Sequence, residues 1–180
     1  MNTQEINELA KEIHALAVEK GWWDQDRSRG EVYALIHSEI SEAVEEARLG
    51  RHPIYFGNKN RFGSIETMMR AASRKIKPQG ELIELADVVI RCLDWMAKDG
   101  VYFKYIDISS GIYRIYSFDG IEFYNFLHEQ LTYLSDSQMN EFILTIELYC
   151  ESRNWNIWEA VRIKHEYNKT RKHRHGGKKH

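Results

Sequence analysis

An all-α fold, a four-helix-bundle-type core carrying a basic insertion and additional C-terminal helices, is predicted by three features of this chain. Apolar residues recur at helical spacing through most of it, cap and stop residues bracket those stretches, and its only two prolines, Pro53 and Pro78, share one segment. With 180 residues, 43% of them apolar and 29% charged, the chain suits a single globular domain spanning residues 1–180 and is unlike collagen, low-complexity tails or disulfide scaffolds. A chain of this size buries roughly 70% of its unfolded surface, so a metal site in it would serve function rather than folding.

Thr3 is a candidate cap for a first helix with Ile6, Leu9, Ile13 and Leu16 on one face, ended by Gly21. Ser28 followed by Glu31 reads as a capping box that opens a second helix running to about Leu49, with Gly50 as its stop. Residues 51–80 hold both prolines and a short helix at Glu66 to Arg74, and are expected to be the most mobile part. A third helix spans Glu81 to Lys98. Val101 to Phe118 is aromatic and β-branched, either a hairpin or an irregular connection. Further helices are expected at Gly120 to Leu134, Ser137 to Arg153 and Asn156 to Lys172, before a basic tail at 173–180. Phe126-Leu127-His128-Glu129 echoes Leu35-Ile36-His37-Ser38, so residues 101–154 are an extension that could be a degenerate repeat, letting one chain imitate a helical dimer.

No apolar run approaches the roughly 18 residues of a membrane span, and Met1 to Glu5 lacks a signal-peptide layout. A soluble, cytoplasmic protein is expected, with Cys92 and Cys150 as buried free thiols. The net charge of -2 conceals segregation: residues 51–80 and 164–180 each carry seven Lys or Arg against one Glu, and the remainder is acidic. An acidic centre between basic flanks suits a cation together with a polyphosphate, although such segregation is more often just solvated surface.

On a helical wheel Glu39 falls inside the apolar arc of the second helix, and Glu42 and Glu46 lie at its edge. A carboxylate on a core-facing stripe must be paired, hydrogen-bonded or metal-bound. The third helix is apolar on nearly every side, except for Glu84, Asp87, Arg91 and Asp94, stacked along one side. Two facing acidic pairs offer four hard oxygen donors, the chemistry of Mg²⁺ with Mn²⁺ as substitute. The plain alternative is ion pairing of Glu39 and Glu42 with cations across the bundle and of Asp87 with Arg91. No Glu in the chain has a His three residues later, which argues against a di-iron carboxylate centre.

On the last helix Ile157, Val161, Lys164, Asn168 and Arg171 form one stripe, apolar first and hydrogen-bonding later. Its cations either meet phosphate or simply suit the C-terminal helix dipole. Trp22 and Trp23 at a helix junction, with His14 before them, could hold a nucleobase or could fill the core.

Taken together, Glu39-Ile40-Ser41-Glu42, Glu84-Leu85-Ala86-Asp87, the Lys164 to Arg171 segment and His175-Gly176-Gly177-Lys178 make the chain resemble the MazG-like all-α nucleoside triphosphate pyrophosphohydrolases, which include dCTP pyrophosphatases and dimeric dUTPases. That resemblance implies Glu39, Glu42, Glu84 and Asp87 as magnesium ligands, and Lys164, Asn168 and Arg171 at the phosphates or the metal site. It also implies His14 and Trp23 as base-binding residues. It covers residues 1–50, 80–100 and 155–178, and leaves 101–154 without a counterpart. Ser38 stands where the family often has a glutamate, so the base is unassigned, with Glu42 and Glu46 as candidates. The 41 residues between Glu42 and Glu84 exceed the spacing in compact members, so the basic insertion is a candidate lid or subunit contact.

The expected activity is Mg²⁺-dependent cleavage of a nucleoside triphosphate, preferentially a pyrimidine deoxynucleotide, to the monophosphate and pyrophosphate, by a homodimer or higher homo-oligomer. The rival is a non-enzymatic helical adaptor that binds nucleic acid through its basic segments. A buried acidic quartet weighs against that rival, because it would repel phosphate without metal.

Overall fold

The computed structural model describes residues 1–57, 63–107 and 118–174. The described residues contain α1 (Thr3–Glu19), α2 (Arg29–Leu49), β1 (Tyr55–Phe56), α3 (Ile65–Ser73), β2 (Pro78–Gln79), α4 (Glu81–Lys98), α5 (Gly120–Tyr133), α6 (Met139–Ser152) and α7 (Ile157–Lys169). The fold is all-α, and among the described residues it has one antiparallel two-residue ladder, pairing Tyr55 with Gln79 and Phe56 with Pro78. No helix among the described residues is long and apolar enough to cross a membrane.

Local chemistry explains the helix starts. Ser28 and Glu31 form the expected box, Ser28 Oγ accepting from Glu31 N at 3.2 Å and Glu31 Oε2 accepting from Ser28 N at 2.7 Å. At α1 the cap is Asn2 rather than Thr3. A capping box needs an acceptor three residues inside the helix, and Asn2 has Glu5 there, its amide donating to Glu5 Oε2 at 2.8 Å, whereas Thr3 has Ile6. Gly50 ends α2 in the left-handed region at φ 60°. The last helix is shorter than expected, because Thr170 and Arg171 leave it in a turn.

α4 is the axis of the molecule, buried on nearly all sides against α1, α2, α6 and α7. Its entry is set by Gly80, whose φ is +114° and whose position would put a Cβ 2.5 Å from the carbonyl oxygen of Pro53. That carbonyl accepts from Leu82 N at 3.1 Å, so the 51–54 strand of chain closes the first turn of α4. The basic insertion thus contributes the small ladder and α3, which packs on α7. Lys59 and Arg61 of the insertion lie outside the described residues, as do Ser109-Ser110-Gly111 and the His175–Lys178 motif. Residues 101–107 have no regular secondary structure and are tied to the helices by Asn7 Oδ1, which accepts from Phe103 N at 2.8 Å, and by Asn140 Oδ1, which accepts from Lys104 N at 2.9 Å. Cys92 and Cys150 are free and buried, and burial pushes both thiols well above their usual pKa.

The echoing segments meet each other. Ile36 and Leu127 are fully buried, and the rings of His37 and His128 stack 9° from parallel, their Nδ1 atoms 2.8 Å apart. Like atoms of matched residues in contact is the arrangement found about a two-fold axis. The acidic pair has no counterpart in the echo, since Gln130 and Tyr133 occupy the positions matching Glu39 and Glu42.

Candidate active site

Between α1, α2, α4 and α7 lies a cavity of about 200 Å³. Its wall contains Glu39 and Glu42 from α2, Glu84, Asp87, Arg91 and Asp94 from α4, Lys164, Asn168 and Arg171 about α7, and Trp22, Trp23 and Arg27 from the α1–α2 junction. Three of these elements contribute because a single helical stripe of each points inward. The α4 stripe, at steps of three and four, is polar where the rest of that helix is apolar.

One carboxylate oxygen from each of Glu39, Glu42 and Glu84 lies within 4.8 Å of the others. Glu39 is 7% and Glu84 4% exposed, whereas Glu42 faces solvent. Asp87, expected as the fourth donor, shares the cavity but turns to Lys164, Nζ to Oδ2 2.6 Å, while Lys164 lies 3.9 Å from Glu84. Arg91 pairs with Glu39 rather than with Asp87, donating from Nε at 2.9 Å and Nη2 at 2.5 Å. Both ion pairs supply the compensation that buried carboxylates demand. Glu46, a candidate base, is not in the cavity wall. Its carboxylate accepts from the Tyr55 hydroxyl at 3.0 and 3.1 Å, because the ladder of the insertion brings that tyrosine beside α2.

Burial pushes the Glu84 carboxyl up to about 7, with Asp87 adding to the push and Lys164 opposing it. Burial likewise raises Glu39, aided by Asp87 and opposed by Arg91. Lys164 is 2% exposed; burial disfavours its charge, but Asp87 and Glu84 outweigh that and hold it above the usual lysine value. Burial lowers Arg171 from the usual arginine value. Glu39 and Glu84, buried at such cost, and the exposed Glu42 beside them could together hold a hard cation. About an octahedral Mg²⁺ adjacent oxygens stand about 3.0 Å apart and opposite ones about 4.2 Å, so these side chains would draw together by up to roughly 1.8 Å to hold one ion. Asn168 adds a second sign of fit, since its Oδ1 is buried without a hydrogen-bond partner among the described residues.

At the other end of the cavity Trp23 and Trp95 stack with centroids 6.3 Å apart. Trp23 Nε1 donates to Asp94 Oδ1 at 3.0 Å, and His14 Nδ1 lies 2.6 Å from the same oxygen. His14 is not in the wall itself; it braces Asp94 and meets Trp23 edge-on at 5.6 Å. Burial raises the Asp94 carboxyl, against the pull of His14 and Trp23. The cavity residues that sequence reasoning left without a role in the site include Asp94, Arg91, which was considered only as a partner of Asp87, and Lys77. The first two were visible on the α4 stripe; Lys77, which also lines the cavity, sits in the insertion, where no periodicity marks it.

Comparison of the chain with protein-family models, characterised proteins and solved structures finds no match.

Proposed function

We propose that this chain is a Mg²⁺-dependent nucleoside triphosphate pyrophosphohydrolase that cleaves between the α- and β-phosphates. The observation that carries the reading is the Glu39, Glu42 and Glu84 cluster, joined in one cavity with Lys164, Arg171, Lys77 and an aromatic wall. The cavity therefore pairs a cation-binding end with an apolar end, the polarity of a metal-nucleotide complex.

Glu39, Glu42 and Glu84 would hold the divalent ions, with Asp87 joining once Lys164 turns to substrate. Divalent ions held there would supply Lewis acidity toward the phosphates and lower the pKa of a bound water. Lys164 and Arg171 take the charge that builds on the departing pyrophosphate, Lys164 as a buried point charge and Arg171 as a fork. Lys77 and Arg27 face the same space and extend the phosphate-binding surface. Glu42, the solvent-facing member of the cluster, accepts the proton of the attacking water on its carboxylate. Trp23 and Trp95 offer a stacking face for the base, and Asp94 holds Trp23 and His14 in place.

Incubation with dCTP, dUTP and the other nucleotides in Mg²⁺, with products resolved, tests this. A monophosphate and pyrophosphate in equal amounts, lost in Glu39→Gln, is the expected result. Release of orthophosphate instead, or no cleavage of any nucleotide together with salt-sensitive binding of DNA or RNA, would overturn it and favour the adaptor.

A further inference from the structure

A second cavity, of about 260 Å³, opens on another face of α7, between that helix, α1 and Met69 of α3. Glu5, Glu8 and Glu12 of α1 line it, together with His165 and Glu166 of α7. His165 is 4% exposed, yet its Nε2 is buried without a hydrogen-bond partner among the described residues. Such an orphaned group costs about 1–3 kcal/mol. The ionic atom facing it is Glu12 Oε2 at 3.9 Å, too far for a hydrogen bond. His165 lines both cavities, but its Nε2 faces Glu12, which belongs to the wall of the second only.

We propose that His165 Nε2 and Glu12 are the protein ligands of a site for a divalent transition metal of the Zn²⁺ class, which clamps α1 to α7. Ligand atoms about a tetrahedral Zn²⁺ stand about 3.3 Å apart, so the exposed Glu12 side chain closes a gap of roughly 0.6 Å. Glu8, one helical turn before Glu12, supplies further negative charge, and water completes the shell. Arg162 and Lys169 also line the cavity, but Lys169 is engaged by Glu166 at 3.1 Å. Burial, reinforced by Lys169, holds the ring neutral down to about pH 4, and the neutral ring is the ligating form. The nitrogen donor separates this site from the all-oxygen cluster: imidazole favours Zn²⁺, Co²⁺ or Ni²⁺, and carboxylates alone favour Mg²⁺ or Mn²⁺. Because His165 follows Lys164 directly, an ion here also holds the rotation of the helix that carries Lys164 and Asn168. The site does not depend on the nucleotide reading.

The test is Zn²⁺ titration of the full chain in excess Mg²⁺, followed by side-chain ¹⁵N NMR of the histidines, which distinguishes His165 from the tail and from His37 and His128. The expected result is a shift of the His165 Nε2 resonance with added Zn²⁺, needing at least about tenfold more Zn²⁺ in Glu12→Gln, one lost carboxylate ligand being worth about 1.4 kcal/mol or more. In His165→Gln one equivalent of bound Zn²⁺ is lost by calorimetry. A His165 resonance that stays put while the other histidines saturate, or an unchanged affinity at His165 in Glu12→Gln, would overturn the proposal. Glu12 is exposed, so that variant folds even where His165→Gln does not.

Discussion

Glu84→Gln separates a binding centre from a structural ion pair, because the two readings give opposite signs. Glu84 is 4% exposed, and Lys164 keeps a much closer partner in Asp87, 2.6 Å against 3.9 Å, so Lys164 only partly offsets the burial of the Glu84 charge. Its carboxyl titrates at about 7 in the folded chain against an ordinary value of 4.5. The folded state therefore binds the proton more tightly: this contribution to stability is complete below pH 4.5 and is lost as pH rises through 7. The shift of about 2.5 units corresponds to roughly 3 kcal/mol at pH 8, in the absence of divalent ions. A neutral glutamine recovers that amount, raising Tm by roughly 6–12 °C for a chain of this size. Urea and thermal unfolding in chelator from pH 4.5 to 8 would show the stability advantage of the variant over the wild type growing as pH rises, the groups common to both proteins cancelling in the difference. Adding Mg²⁺ should then stabilise the wild type and leave Glu84→Gln unmoved. A variant less stable than wild type at pH 8 without divalent ions would refute the reasoning and make the Glu84–Lys164 contact part of what holds the fold together.

Three other outcomes are expected. The His165 ring titrates near 4 when folded and 6.5 when unfolded, so the unfolded chain takes up the proton first and stability falls as pH drops from 6.5 to 4, by up to about 3 kcal/mol; urea unfolding in chelator should show His165→Gln with a flatter acid limb. Asp94→Asn puts an amide where His14 and Trp23 both meet a carboxylate, and should raise KM for nucleotide about tenfold, or 1.4 kcal/mol, with kcat little changed; an unaltered KM would leave Asp94 a packing residue. Gly80→Ala sets a Cβ 2.5 Å from the Pro53 carbonyl oxygen at φ +114°, and should cost about 2 kcal/mol or more by chemical denaturation, whereas a loss below about 0.5 kcal/mol would show that the α4 entry yields easily.

The helices were legible because their information is local. Ser28 and Glu31 cap α2 through bonds that span three residues, and apolar spacing put α4 at the centre before any neighbour was known. The same periodicity marked Glu39, Glu84 and Asp87 as inward-facing, since the side of a helix on which a residue lies follows from its number. The misplaced Thr3 cap was also a local matter: Asn2 and Glu5 were both in view, and the three-residue rule chooses between the candidates. Residues 101–107 gave no such signal, being held by single side chains of Asn7 and Asn140 from distant helices.

Partner choice is another kind of information. That Arg91 reaches Glu39, that Asp87 turns to Lys164, that Tyr55 draws Glu46 out of the cavity and that Asp94 stands between His14 and Trp23 depends on how helices cross and how far each side chain extends. The amino-acid order by itself determined the helices, their buried faces and the acidic and basic stripes, because a 3.6-residue repeat carries all three. Only the tertiary structure decided which charges meet, because Arg91–Glu39 and Lys164–Asp87 join residues more than 50 positions apart and are set by the packing of the entire bundle, which no short spacing encodes.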